Sequence, residues 1–172
     1  MNEIRITATL SLDEKYPEDA YIDLNLSVDG QYLHEVNVYV DPVALVNSAS
    51  LSGEFFIYTC DCGNPACQGI DDGVMVSHTP DTVIWRLHNP ISWPPEEPKP
   101  DWAHEAEFRF PKDEYLQQIG TALDHAKRLA RGYRTSGKLW VGPDLSLEGL
   151  LALDIPKQGG FFASEPESRS VH

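Results

Sequence analysis

Long apolar runs are missing from this chain, and no stretch approaches the roughly 20 consecutive apolar residues that a membrane-spanning helix needs. The opening Met1-Asn2-Glu3-Ile4-Arg5 lacks the basic and then apolar layout of a signal peptide, so a cytoplasmic protein is expected. Cysteine is scarce and odd in number, 3 in 172 residues, which excludes a complete intrachain disulfide framework. Positive charge is scarce too. Against 27 Asp+Glu there are 13 Lys+Arg, a formal charge of −14. Such a field repels nucleic-acid phosphates and anionic membranes and attracts basic partners; its ordinary service is solubility. Gly-rich phosphate loops, His-Glu-x-x-His pairs and Gly-x-Ser-x-Gly elbows are all missing, so the enzyme chemistries that those motifs carry have no support here.

The residues present describe a folded domain. A hydrophobic share of 41% and an aromatic share of 10% exclude wholesale disorder. The length suits one domain that buries about 70% of its unfolded surface. Charge is uneven: residues 1–50 hold 9 acids and 2 bases, and residues 51–100 hold 7 and 2. The first hundred residues therefore carry −12 of the −14.

Residues 4–12 alternate, with Ile4, Ile6, Ala8, Leu10 and Leu12 on one face, which predicts a half-buried strand. Ile22, Leu24 and Leu26 alternate likewise. After Asp29-Gly30, one face takes Tyr32, His34, Val36, Val38 and Val40. A three-residue loop Val28-Asp29-Gly30 is expected, opposing Leu24 to His34 and Ile22 to Val36, because a one-residue slip would mix buried and exposed faces. Asp41-Pro42 predicts a capped short helix, and 54–62 one aromatic and β-branched strand. A hairpin is expected over 74–78 and 82–88, and a strand over 105–110. From Pro111 the stripe Tyr115, Leu116, Ile119, Ala122, Leu123, Ala126, Leu129, Ala130 and Tyr133 predicts one long helix. Lys127, Arg128, Arg131 and Arg134 fall toward its end, where cations complement the helix dipole. A short strand over 138–141 and a short helix over 145–153 follow. The expected fold class is α+β: a mostly antiparallel sheet of about six or seven strands, one long amphipathic helix and two short helices. The expected organisation is a single acidic domain over 1–156 and a loosely ordered tail over 157–172.

All three cysteines, Cys60, Cys62 and Cys67, lie within eight residues. Zinc takes four tetrahedral thiolate or imidazole ligands, and Gly63-Asn64-Pro65 can turn the chain to gather them. His78 or His88 could supply a fourth. The Cys-x-Cys-x4-Cys spacing lacks the paired corners of structural zinc sites, however, and Cys60 and Cys62 on one strand suit small buried hydrophobes equally well. The expectation is no cofactor and no stoichiometric zinc; a redox pair is the remaining option. The stretch resembles the C-x-C-G-x3-C-x-G segment of some uncharacterised bacterial proteins, a resemblance that covers about a tenth of the chain and implies no activity.

Asn89 to His104 holds five prolines with Trp93 and Trp102. A stiff Pro-rich loop can present an indole at little entropic cost, and tryptophan anchors many interfaces. The alternative is that both rings fold back on the sheet. Asp71-Asp72, beside Gly73, reads first as a turn. Taken together, these features lead us to expect a non-enzymatic acidic binding protein of inhibitor or immunity type, blocking a basic toxin or nuclease. Its contacts would come from Trp93, Asp71, Asp72 and Trp102, with no nucleic-acid or membrane binding. The alternatives are a small enzyme with a Cys/His or metal centre in residues 60–88, and a zinc-stabilised structural module.

Overall fold

The computed structural model describes residues 1–33, 37–88 and 105–156. The Pro-rich loop with Trp93 and Trp102, the residues His34 and Val36, and the tail 157–172 lie outside the described residues.

Alternation makes the first two strands. β1 (Ile4–Leu12) and β2 (Ala20–Val28) run antiparallel, with Ile4 opposite Val28 and Leu12 opposite Ala20. Ile4, Ile6, Ala8, Ile22, Leu24 and Leu26 are buried, whereas Leu12 at the strand end is exposed. The next turn corrects the expected register. Val28 pairs with Gln31 and Ser27 with Tyr32, so the loop is the two-residue Asp29-Gly30. Both residues have positive φ, 51° and 79°, as the hairpin turn that matches strand twist requires. The expected mismatch of faces does not arise, because β3 (Gln31–Tyr32) ends after two residues. Tyr32 is accordingly exposed, and Leu33 takes the core position.

β4 (Tyr39–Val40) leads into α1 (Pro42–Ser48), where the Asp41 carboxylate accepts the Val43 and Ala44 amides. The single strand expected over 54–62 is two strands. β5 (Gly53–Phe55) pairs with β7 (Val74–His78), and β6 (Tyr58–Thr59) pairs with β4. The break falls at Phe56-Ile57, where the Ile57 carbonyl accepts the Asp41 amide and its side chain is fully buried. β8 (Thr82–His88) and β9 (Glu105–Pro111) complete a meander with β7. β10 (Leu139–Trp140) joins β2 in parallel.

The fold is α+β and mainly antiparallel. Among the described residues, ten strands form three separate sheets rather than one sheet of six or seven. The long helix, α2 (Lys112–Gly132), joins the two four-stranded sheets by packing on β1, β2, β8 and β9, and it packs also on α1 and the last helix, α3 (Leu147–Ala152). Its stripe Tyr115, Ile119, Ala122, Leu123, Ala126 and Ala130 is buried, and the Gln118 side chain accepts the Ile6 amide at 3.1 Å. Lys127, expected among the helix-end cations, is instead buried and reaches Asp154 at 3.0 Å. In the core the Trp85 indole donates to the Tyr115 hydroxyl (3.1 Å), which lies 2.7 Å from Ser48 Oγ; Ser48 Oγ in turn donates to the Leu45 carbonyl at 2.6 Å. This chain ties β8 and α2 to α1 and satisfies polar atoms that burial would otherwise penalise.

Candidate functional site

Successive side chains of a strand point to opposite faces. The inner face of β2 feeds the core beneath α2; its outer face carries Tyr21 and Asp23. Two further elements raise walls around them. β10 sets Trp140 beside Tyr21, ring centroids 6.0 Å apart, and β4 sets Tyr39 edge-on to Trp140 at 5.2 Å. The result is a cleft of about 1130 Å³. Its charged lining consists of Asp13, Glu14, Asp19, Asp23 and Asp61, opposed by Lys138.

These carboxylates are not equivalent. Asp13 accepts the Lys15 and Tyr16 amides and the Tyr21 hydroxyl, and the hydrogen bonds, the Tyr16 amide first, hold its pKa below the usual value. The same contact with Asp13 raises the Tyr21 phenol. Asp23 is the opposite case. Its Oδ1 is buried with no hydrogen-bond partner, and burial pushes its pKa up. Tyr39 is raised by burial first, then by Asp23, Asp61 and Cys60, which places it between the carboxylates and the cysteine loop. An unsatisfied carboxylate beside aromatic rings suits a cation, since ring faces attract ammonium and guanidinium groups within about 6 Å.

Asp61 joins the cleft to the cysteines. β6 ends at Thr59, so Cys60 and Cys62 do not stand on one strand as expected; a turn closed by Gly63 N to Cys60 O (3.0 Å) follows instead. Gly63, at φ 85°, passes so close to Asp144 that a Cβ there would lie 2.7 Å from the Asp144 Cβ. A one-turn 3-10 helix, Pro65–Gln68, is capped by the Asn64 side chain and ends at Gly69 with φ 67°. These two reversals bring Cys67 back to Cys62, Sγ to Sγ 3.6 Å, and all three Sγ atoms lie within 4.8 Å of one another. Cys60 is buried and donates to the Asp61 carboxylate at 3.0 Å, which raises its pKa; Cys62 and Cys67 are exposed. The Asn64 amide directed at Cys62, aided by the Cys67 and Cys60 thiols, favours the Cys62 thiolate, and the same Cys62 contact raises Cys67. The cluster is close enough to hold one metal ion.

Of the residues singled out from sequence, the structure gathers Cys60, Cys62 and Cys67. His78 stands apart, its Nε2 2.9 Å from the Ser48 carbonyl oxygen. Asp71 and Asp72 are exposed on the turn before β7 and do not line the cleft, while Trp93 and Trp102 lie outside the described residues. Sequence reasoning missed Tyr21, Asp23, Tyr39, Asp61 and Trp140. Its one available signal was an aromatic and an acid on the polar face of β2. No protein-family model matches the chain, and neither a curated protein nor a solved structure does.

Proposed function

We propose that the protein is a non-enzymatic binding protein whose acidic, ring-walled cleft takes a lysine or arginine side chain of a basic protein partner. The observation that supports it best is the composition of the cleft: five carboxylates against one lysine, with Tyr21, Tyr39 and Trp140 as walls. In this reading Asp23, short of one hydrogen-bond donor in the free protein, receives it from the partner. Asp71 and Asp72 add to the steering field from their exposed turn. An inhibitor or immunity role against a basic toxin or nuclease is the form that a charge of −14 favours, because steering accelerates association with such a partner. Cysteine–histidine catalysis has less support, since His78 is engaged at Ser48 rather than at the thiols.

The test is capture of the partner from the native host, followed by binding kinetics at two salt concentrations. A basic partner is expected, with association slowed by salt. Asp23→Asn and Trp140→Ala should mainly shorten the lifetime of the complex, the latter by about 2 kcal/mol if the ring is an anchor. An acidic or neutral partner, or binding indifferent to salt and to both variants, would overturn the reading.

A further inference from the structure

We propose that Cys60, Cys62 and Cys67 bind one zinc ion through three thiolates, with the fourth tetrahedral position open to solvent at the edge of the cleft. Spacing alone argues against zinc, because paired cysteine corners are the usual way to bring ligands together. The folded loop reaches the same end by another route, through positive φ at Gly63 and Gly69 and an Asn64-capped turn between them. Two thiolates on a tetrahedral zinc, each about 2.3 Å from the metal, stand about 3.8 Å apart. The Cys62 and Cys67 sulfurs are 3.6 Å apart, far beyond a disulfide bond of about 2.05 Å and close to that edge. Cys60 Sγ lies within 4.8 Å of both, so the third ligand needs only a small shift.

The Gln68 amide reaches Cys60 Sγ at 3.9 Å, a donor for the thiolate that metal binding leaves there. Binding exchanges three thiol protons for the metal, so Cys60 gives up the proton it now shares with Asp61. Among the described residues no other histidine, cysteine or acid lies within 4.8 Å of all three sulfurs, the Asp61 carboxylate being hydrogen-bonded to Cys60, and Cys62 and Cys67 are exposed; on these grounds the fourth position is assigned to water or an incoming ligand.

The experiment uses the full chain, purified under reducing conditions without chelator. One zinc per chain is expected, with all three thiols slow toward a thiol reagent until a chelator is added. Cobalt(II) added to the stripped protein should give a thiolate charge-transfer band of the intensity for three thiolates, and its visible bands should shift when imidazole is added. Cys62→Ser should lower zinc content below half. If that variant fails to fold, the cobalt spectrum of the wild type decides. Three freely reacting thiols with no metal retained in dialysis against zinc, a Cys62–Cys67 disulfide found by mass, or cobalt bands without thiolate character would each overturn the proposal. None of these outcomes alters the salt dependence of partner binding, so failure here and failure of the cleft reading are distinguishable.

Discussion

Asp23 lines the cleft with a carboxylate that the fold leaves short of one hydrogen bond. A buried carboxylate oxygen without a donor is costly, and the Oδ1 atom of Asp23 is one. The linkage sign follows from the direction of its shift. Burial raises its pKa in the folded state, so the folded chain holds that proton more tightly than the unfolded chain. Its contribution is then fully present below the ordinary aspartate pKa, about 3.9, and is lost as pH rises through the raised value. Asp23→Asn removes that loss. We expect the variant to have a higher urea midpoint than the wild type at pH 7, by roughly 0.5–1.5 kcal/mol in stability, and the gap to close near pH 4. A lower midpoint at pH 7 would mean that Asp23 has a donor in the free protein.

At the scale of elements, β10 is two residues long yet carries Trp140, a wall of the cleft. A ladder so short needs other ties. The Lys138 amide donates to the Asp19 carboxylate at 2.8 Å, the Ala20 amide donates to the Lys138 carbonyl at 2.9 Å, and the Thr135 hydroxyl bonds the Glu18 carbonyl. Gly137 lets the two segments touch, because a Cβ there would overlap the Glu18 carbonyl and the Asp19 carboxylate. Gly137→Ala should therefore destabilise by about 1–3 kcal/mol and lift β10 off β2. Denaturant midpoints and the near-ultraviolet circular dichroism of the Tyr21–Tyr39–Trp140 cluster check this. A wild-type midpoint with an unchanged aromatic spectrum would show that the segments do not meet there.

For the whole molecule, the formal charge of −14 stands against four ion pairs among the described residues. Those from Arg5 to Glu3, and from Arg86 and Arg109 to Glu107, are exposed, and such pairs are worth at most about 1 kcal/mol. Self-repulsion among the remaining acids is expected to outweigh them, and salt screens it, the Debye length falling from about 8 Å at 0.15 M to 3 Å at 1 M. The thermal midpoint should thus rise with sodium chloride over that range. A midpoint that falls with salt would put the pairs ahead of the repulsion.

Features governed by neighbours in the chain were legible in the sequence. The period-two faces of β1 and β2, the apolar stripe of α2 and the Asp41-Pro42 cap each depend on local geometry and patterned burial, which composition and spacing express directly. The register of the hairpin at Asp29-Gly30 was not legible, because the length of β3, and not the turn residues, determines whether facing mismatches cost anything. Nor was the cleft. Its walls meet through β10 lying parallel to β2, a pairing secured between Lys138 and Asp19, 119 residues apart, and no local pattern states which distant strands become neighbours. The cysteines stand between these cases. Their clustering is plain in the sequence, but the convergence of three sulfurs depends on positive φ at two glycines and on a capped turn, and spacing does not encode backbone sign.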